Sequence, residues 1–240
     1  MRYLILLLAA SLNHGALAQG PAPTEGQSPQ SAVSEQGYRY QLFLPKGAAH
    51  PAGQTWPLMI FLHGSGERGD DIAKVKVHGP PKIADRNPDF PFILISPLLP
   101  ADQDWDVAKL EQILDLAMRT LPVDRSRIYL TGLSRGGHAA WRWAASEPNK
   151  FAAVAPVAGT GDPASACALK ATPIWAFHGD RDDVVIPEGS FAMVRAIRAC
   201  GGHPRLTIYP DLGHNAWDPA YDDPALYLWL LSHRIEDSAH

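Results

Sequence analysis

Short segments made almost entirely of apolar residues recur along the chain, and stretches with helical patterning separate them. The apolar segments cover residues 58–63, 92–95, 128–131, 153–157, 174–177 and 206–209. Continuous apolar runs of this length indicate strands that are buried on both faces, as in a parallel sheet. The helical stretches cover residues 106–121, 135–146, 189–199 and 219–232. This alternation predicts βαβ units, and therefore an α/β protein with a mostly parallel central sheet flanked by helices.

The chain before the first of these strands is less regular. Residues 38–44 alternate in character and stop at Pro45, which is typical of an edge strand. Residues 19–36 contain no aromatic side chain and are rich in Pro, Gln and Ser, so we interpret them as a flexible linker. The folded domain is therefore expected to cover residues 37–240. The sequence indicates neither an internal repeat nor a second domain.

The first 18 residues have the three-part pattern of a secretory signal peptide. Arg2 supplies a positive charge, residues 3–12 are mostly apolar, and residues 16–18 read Ala-Leu-Ala, which matches the small-x-small cleavage site. A short buried helix is the alternative interpretation. The signal peptide predicts export to the periplasm or the extracellular space. No apolar run reaches the roughly 18 residues needed to cross a bilayer, so no membrane span is expected.

Charge and cysteine content exclude several classes of function. The formal net charge is −4 and the isoelectric point is about 6.2. The chain therefore lacks the basic surplus with which nucleic-acid-binding proteins neutralise phosphates. Two cysteines alone cannot form a structural zinc site. In an oxidising compartment Cys167 and Cys200 are expected to form a disulfide, and two free buried thiols are the alternative.

The strongest chemical signal is the sequence Gly-Leu-Ser-Arg-Gly at residues 132–136. A predicted strand precedes it and a predicted helix follows it, which is the setting of a G-x-S-x-G nucleophile. The turn must project the Ser134 hydroxyl from the sheet, and the glycines at 132 and 136 let strand and helix pack closely. We therefore predict that Ser134 is a nucleophile. A tight turn with a helix-capping serine is the alternative.

A serine nucleophile needs a general base and an acid that orients the base. His214 follows the last predicted strand and is the best candidate for the base. The loop after residues 174–177 carries three carboxylates, those of Asp180, Asp182 and Asp183. Sequence position alone leaves the choice among them open. The order Ser, Asp, His along the chain is that of the α/β-hydrolases and differs from the chymotrypsin and subtilisin orders.

An oxyanion hole requires two N–H donors. The first is expected to be the backbone N–H of Arg135, directly after the nucleophile. The second is expected from the loop after an early strand, where residues 63–66 read His-Gly-Ser-Gly, and we predict the N–H of Ser65. A phosphate-binding loop is excluded because no Lys-Ser or Lys-Thr pair follows these glycines.

Six motifs spread from about residue 38 to the end of the chain carry a resemblance to a known family. They are FLHGSGERG (61–69), HGPP (78–81), ISP (95–97), RIYLTGLSRGG (127–137), WAFHGDRDDVVIP (175–187) and YPDLGHNAWDPAY (209–221). With these motifs the chain resembles the secreted carboxylesterase/phospholipase-like branch of the α/β-hydrolases, a group that includes predicted peptidases and feruloyl-esterase-like proteins. The resemblance implies the α/β-hydrolase fold.

The resemblance also bears on individual residues. In the family pattern HGxxDxxV the acid follows His-Gly-x-x, which implies Asp182 as the triad acid and leaves Asp183 as the second choice. Arg135 departs from the pattern, since many relatives carry Met or Gln there. Its backbone N–H is unaffected by this difference, but its side chain changes the charge of the cleft. The implied chemistry uses Ser134, Asp182 and His214 and needs neither a metal nor an organic cofactor.

The substrate is less constrained by the sequence. The segments that separate Ser134, Asp182 and His214 are too short to hold a lid domain, so we expect an open site. Trp105 and Trp217 are predicted to line this site as apolar platforms, and His78 is predicted to bind substrate from a loop that faces the cleft. Ordinary core packing is the alternative for both tryptophans.

These features predict a secreted serine esterase for short-acyl, aryl or feruloyl esters, either small molecules or esters attached to carbohydrate. A serine peptidase of the prolyl-oligopeptidase type and a polyester depolymerase are the alternatives. A non-catalytic binding protein is disfavoured, because a binding module does not need a serine, an acid and a histidine in this order. The sequence does not predict an oligomeric state.

Overall fold

A single sheet of eight strands organises residues 24–235, the part of the chain that the computed structural model describes. The strands are β1 (Gly26–Gln30), β2 (Tyr40–Leu44), β3 (Trp56–Leu62), β4 (Ile93–Pro97), β5 (Val123–Leu133), β6 (Ala153–Val157), β7 (Trp175–Gly179) and β8 (Arg205–Tyr209). Their spatial order is β1-β2-β4-β3-β5-β6-β7-β8. The pairs β1–β2 and β2–β4 are antiparallel and all the others are parallel. The prediction of a mostly parallel central sheet is therefore confirmed.

Helices cover both faces of this sheet. They are α1 (Gly79–Ala84), α2 (Val107–Thr120), α3 (Arg135–Ser146), α4 (Glu188–Ala199), α5 (Trp217–Asp222) and α6 (Pro224–Leu231), with short 3-10 helices at Ile72–Lys76 and Pro163–Leu169. Alternate side chains of β3 separate two apolar cores. Leu58, Ile60 and Leu62 pack in the core under α2, α3 and α4, whereas Met59 and Phe61 pack in the core under α1, α5 and α6. This is the α/β-hydrolase architecture expected from the sequence.

The beginning of the described chain differs from its prediction. Residues 26–30, inside the predicted linker 19–36, form β1 and pair with β2 from Gly26 opposite Leu44 to Gln30 opposite Tyr40. Strand β2 is consequently not at the edge, and all five of its residues are buried. The sequence of β1 is polar and has no apolar pattern. Main-chain hydrogen bonds to β2 hold this strand in the sheet. The predicted signal peptide 1–18 lies outside the described residues.

The predicted helix over residues 219–232 is two helices, α5 and α6. Pro224 has no N–H to donate and its ring disfavours a continuous helix, so the chain breaks at Asp223, which has extended backbone. The Asp223 side chain then accepts a hydrogen bond from the N–H of Ala225 at 2.8 Å and caps α6. The break lets α5 lie directly after the loop that carries His214, where Tyr221 is buried with its hydroxyl 2.9 Å from Thr131 of β5.

A disulfide joins Cys167 in the second 3-10 helix to Cys200 at the end of α4, as the sequence analysis expected. The two Cα atoms are 5.3 Å apart, and the cross-link closes a sequence separation of 33. It ties the segment after β6 to the helix that follows β7. None of the helices in the described part of the chain combines the length and apolar character that crossing a membrane requires.

Replacement of Cys167 and Cys200 by Ser should lower the free energy of unfolding by about 2–4 kcal/mol, because the unfolded chain regains the entropy of an open loop. For a domain of this size the midpoint of thermal unfolding should fall by roughly 5–10 °C. Urea denaturation followed by circular dichroism measures the change. Wild-type protein unfolded under reducing conditions should match the variant, and an unchanged urea midpoint in the variant would contradict the expected contribution of the cross-link.

Candidate active site

Ser134 occupies a sharp turn between β5 and α3, with no intervening loop: Leu133 ends the strand and Arg135 begins the helix. Its backbone has φ 51° and ψ −117°, a combination that costs a residue other than glycine roughly 1–3 kcal/mol. The Ser134 N–H donates a hydrogen bond of 2.9 Å to the carbonyl oxygen of Val157 at the end of β6. The turn is thus held by the neighbouring strand, and the partly exposed side chain projects from the sheet.

Two glycines make this turn possible because they let α3 approach the sheet without Cβ atoms. A Cβ at Gly136 would overlap the carbonyl group of Leu62 in β3, and a Cβ at Gly132 would overlap the carbonyl group of Gly136. In both cases the obstacle is backbone, which cannot move aside as a flexible side chain can. The requirement for glycine on each side of Ser134 therefore follows from the contact between strand and helix.

The segments directly after three parallel strands, β5, β7 and β8, bring three of the predicted site residues into one chain of hydrogen bonds. His214 lies between β8 and α5, and its Nε2 is 2.9 Å from Oγ of Ser134. The Nδ1 atom of His214 is 2.7 Å from Oδ2 of Asp182, in the loop after β7. Because a carboxylate can only accept, Nδ1 carries the proton and the neutral ring presents the lone pair of Nε2 to the Ser134 hydroxyl.

The three carboxylates that the sequence left as candidates have different surroundings. Asp182 is 3% exposed and contacts His214, whereas Asp180 and Asp183 are exposed. Asp183 makes no side-chain hydrogen bond or ion pair to any residue between 24 and 235. The geometry therefore places Asp182, and neither of its neighbours, beside the histidine.

The Asp182 carboxylate is held by several donors. The N–H groups of Val184 and Val185 donate to Oδ1 at 3.0 and 2.9 Å, and Nε2 of His178 lies 3.1 Å from Oδ2. Burial by itself raises the pKa of this carboxyl, but the hydrogen bonds from His214, Val185 and Val184 outweigh burial and hold the pKa below its usual range. Asp182 therefore stays ionised beside His214 at neutral pH.

The loop after β3 supplies one of the predicted oxyanion donors. The N–H of Gly64 is already used, since it donates to Oε2 of the buried Glu67 at 3.0 Å. The backbone N–H groups of Ser65 and Arg135 donate to no residue in the described part of the chain. A Cβ added at Gly64 would lie 3.5 Å from Cβ of Ser134, so this loop runs directly beside the turn that carries Ser134.

Several side chains brace that loop. Burial lowers the pKa of His63 to about 4, so its ring is neutral at neutral pH, with Nδ1 2.7 Å from the Gly64 carbonyl oxygen and Nε2 3.0 Å from the N–H of Leu99. The Arg135 Nε donates to Oγ of Ser65 at 2.9 Å. The two residues predicted to form the oxyanion hole are therefore joined through their side chains as well.

Trp105 is not where the sequence analysis placed it. The ring is 3% exposed and packs edge-on against Tyr38 and His63, with centroid distances of 5.3 and 5.1 Å. Its Nε1 donates to the carbonyl oxygen of His63 at 3.4 Å. Trp105 therefore belongs to the core beneath the loop after β3, contrary to the prediction that it lines the cleft. From sequence alone, an aromatic residue in a loop is compatible with the core and with the surface of the cleft, and only the tertiary structure decides between the two.

Trp217 lies beside His214, and His78 lies beside Trp217. The Trp217 ring is edge-on to His214 with ring centroids 5.1 Å apart, and the centroid of the His78 ring is 5.7 Å from that of Trp217. His78 is partly exposed, with Nε2 3.7 Å from Glu67 and Nδ1 3.9 Å from Asp218. These two predicted residues thus form a continuous aromatic contact that starts at His214.

Two residues without an assigned catalytic role turn out to contact the site. Glu67 braces the loop that carries Ser65, and His178 contacts Asp182. The spacing of His178 four residues before Asp182, directly at a strand end, was the available signal for the second contact. Among residues 24–235, no group of three or more His, Cys, Asp or Glu side chains is arranged to hold a metal ion.

Comparison with known proteins shows the family of the chain. The family model described as phospholipase/carboxylesterase matches residues 101–224, which is just over half of the chain and includes Ser134, Asp182 and His214. The chain belongs to this family. A solved structure similar to this chain is that of a thermostable esterase, with 28% sequence identity and a TM-score of 0.75 over 87% of this chain and 63% of its own.

Two curated proteins are similar over shorter stretches. A bifunctional acetylxylan esterase/xylanase of Neocallimastix patriciarum is 34% identical over 84 residues, which is 35% of this chain and 12% of that protein. A protein of Escherichia coli K12 provisionally named carboxymethylenebutenolidase is 29% identical over 135 residues, which is 52% of this chain and 49% of that protein. The match therefore spans at most about half the length of these two relatives.

Proposed function

We propose that this member of the phospholipase/carboxylesterase family is a secreted serine esterase that hydrolyses short-acyl, aryl or feruloyl esters. One observation carries the proposal: the unbroken hydrogen-bonded chain from Ser134 Oγ through His214 to the buried Asp182. A serine on a strained turn, a neutral histidine and an ionised acid are the parts that acyl transfer requires. The family to which the chain belongs supports the choice of an ester as substrate.

The first half of the proposed reaction forms an acyl-enzyme. Nε2 of His214 accepts the Ser134 hydroxyl proton while Oγ forms a bond to the ester carbonyl carbon. The resulting imidazolium is stabilised by Asp182, which remains ionised. The carbonyl oxygen becomes an oxyanion and accepts hydrogen bonds from the N–H groups of Ser65 and Arg135, each donor of this kind lowering the barrier by about 3–4 kcal/mol. His214 then donates its proton to the leaving alcohol oxygen as the C–O bond breaks.

The second half returns the enzyme to its starting state. A water molecule enters after the alcohol leaves, and Nε2 of His214 removes one of its protons as the water oxygen attacks the acyl carbon. The tetrahedral intermediate collapses, the bond to Ser134 Oγ breaks, and His214 returns the proton to that oxygen. The products are the carboxylic acid and free Ser134, so atoms and protons balance without a cofactor.

Three further observations bear on the substrate class and on the location of the protein. The similarity to part of an acetylxylan esterase/xylanase favours a small acyl group on a carbohydrate alcohol. Trp217 and His78 would contact the substrate on the side of His214, where the leaving alcohol is protonated. The signal peptide pattern at residues 1–18 predicts secretion, and the Cys167–Cys200 disulfide is consistent with an oxidising compartment.

A series of p-nitrophenyl esters with acyl chains from two to twelve carbons, together with methyl ferulate, tests the proposal. We expect the highest kcat/KM on short acyl chains or on ferulate, because the segments between Ser134, Asp182 and His214 are too short to hold a lid domain that would bury a long chain. Ser134→Ala should abolish turnover while keeping the circular dichroism spectrum. Turnover that survives in Ser134→Ala, or no turnover of any ester, would contradict the proposal. Cleavage of peptide p-nitroanilides in place of esters would favour the peptidase.

The assignment of the acid is tested by two adjacent substitutions. Asp182→Asn should lower kcat about 10⁴-fold, because the amide no longer selects the tautomer with a proton on Nδ1 or stabilises the imidazolium. Asp183→Asn changes charge in the same way one residue further on, where the side chain is exposed, and should leave kcat within about twofold of wild type. Equal losses in the two variants, or a larger loss in Asp183→Asn, would overturn the assignment.

A further inference from the structure

His178 is a fully buried histidine beside the proposed triad that the mechanism above does not use. It lies in β7, immediately before the strand ends, and its side chain is 0% exposed. Nε2 is 3.1 Å from Oδ2 of Asp182 and 2.7 Å from the carbonyl oxygen of Val185. On the other side of the ring, Nδ1 is 2.8 Å from Oγ of Ser190 in the first turn of α4.

The neighbours of the ring fix its proton on Nε2. A carboxylate and a carbonyl oxygen can only accept hydrogen bonds, so Nε2 between Asp182 and Val185 must carry a proton and donate it. Oγ of Ser190, which is also buried, lies 2.8 Å from Nδ1 and 3.2 Å from the carbonyl oxygen of Gly159, and its single proton serves one of these two acceptors. The ring therefore connects the loop that carries the acid to α4 and to the segment after β6.

Oδ2 of Asp182 is shared between two histidines. His214 contacts it from the loop after β8, and His178 contacts it from β7. The terminal torsion of an aspartate has broad preferences, so neighbouring groups must set the direction of the carboxylate. The N–H groups of Val184 and Val185 hold Oδ1, and His178 is the only donor besides His214 that holds Oδ2 among residues 24–235.

We propose that His178 is a positioning residue that sets the orientation and the electron-donating strength of the Asp182 carboxylate toward His214. The proposal rests on the proposed serine esterase function. A second donor on Oδ2 withdraws negative charge from the bond to His214, because each hydrogen bond to a carboxylate stabilises its charged form. His178 would thus make the acid a more fixed but weaker partner for the catalytic histidine.

The charged and titratable groups around this pair are few. Within hydrogen-bond or ion-pair distance, Asp182 faces only His178 and His214 in the described residues. His214 faces Asp182, Ser134 and the uncharged Trp217 ring of α5. Trp217 in turn contacts His78, which has Glu67 and Asp218 within 4 Å. A change at His178 therefore reaches His214 through Asp182.

His178→Leu and His178→Gln separate positioning from packing. Leu fills the space without a donor, whereas the amide of Gln can place an N–H near the position of Nε2. We expect His178→Leu to lower kcat on p-nitrophenyl acetate about 10- to 100-fold, because the Asp182 carboxylate is no longer held in its orientation toward His214. KM should stay within about twofold of the wild-type value. The acid limb of kcat/KM should move to higher pH, since a carboxylate with one fewer donor holds the proton on His214 more strongly. His178→Gln should recover most of kcat and the wild-type acid limb.

A second pair of variants keeps the test decisive if His178→Leu does not fold. Ser190→Ala removes only the hydroxyl that holds Nδ1, outside direct contact with the triad, and should lower kcat about threefold to tenfold with the acid limb shifted in the same direction. Ser96→Ala is the matched control, because Ser96 is equally buried in β4 and its hydroxyl has no hydrogen-bond partner in the described structure. It should behave as wild type.

Three results would overturn the proposal. The first is equal kinetics for folded His178→Leu and His178→Gln. The second is an acid limb of kcat/KM that stays in place or moves to lower pH in His178→Leu. The third applies if His178→Leu is unfolded, and is wild-type kinetics for Ser190→Ala. Each is judged against a wild type whose activity depends on Ser134. If Ser134→Ala remains active, the esterase mechanism itself fails, and that outcome is distinct from a failure of the role of His178.

Discussion

The close contact of α3 with the sheet is the constraint on which the site depends. Because Gly136 lies against the carbonyl group of Leu62, the helix can begin directly at the end of β5. That junction forces Ser134 into a backbone conformation that most residues avoid, at a cost of roughly 1–3 kcal/mol. The core packed beneath α3 and the hydrogen bond from Ser134 N–H to the carbonyl oxygen of Val157 stabilise the turn. In this strained conformation the Ser134 hydroxyl projects from the sheet.

A buried negative charge is the second constraint, and it organises the loop after β7. A carboxylate that is removed from water must be compensated by donors. Asp182 receives two backbone N–H groups on one oxygen and two histidine rings near the other. The same bonds that satisfy the charge also point it at His214. Stability of the loop and orientation of the proposed base therefore have a common physical origin.

Much of this arrangement could be predicted from sequence because the residues carry local signals. Buried parallel strands are apolar along their length. The glycines at 132 and 136 indicate a close contact between strand and helix backbone that a residue with a Cβ does not permit. His214 could be placed by its position after the last strand. The selection of Asp182 required the family resemblance, since Asp180 and Asp183 differ from it only in burial, which the fold determines.

The parts that could not be predicted depend on contacts between distant segments. Strand β1 is polar and is held by main-chain bonds to β2, so its side chains give no pattern to detect. Trp105 fills the core under the loop after β3, although its sequence context fits a cleft equally well. The break at Pro224 was a local signal that the apolar periodicity of residues 219–232 obscured. His178 could be recognised as a strand-end histidine four residues before Asp182, but its contact with Ser190 could not be predicted, because it depends on how α4 packs.

Direct detection of the acyl-enzyme tests the central claim that Ser134 is a nucleophile activated by His214 and Asp182. Protein mixed rapidly with p-nitrophenyl acetate, quenched in acid and digested, can be analysed by mass spectrometry. The account predicts one acetyl group on the peptide that contains Ser134, formed at the rate of the p-nitrophenol burst and absent in Ser134→Ala. Ester hydrolysis that proceeds with no acetyl group on Ser134, or with the acetyl group on another residue, would contradict it.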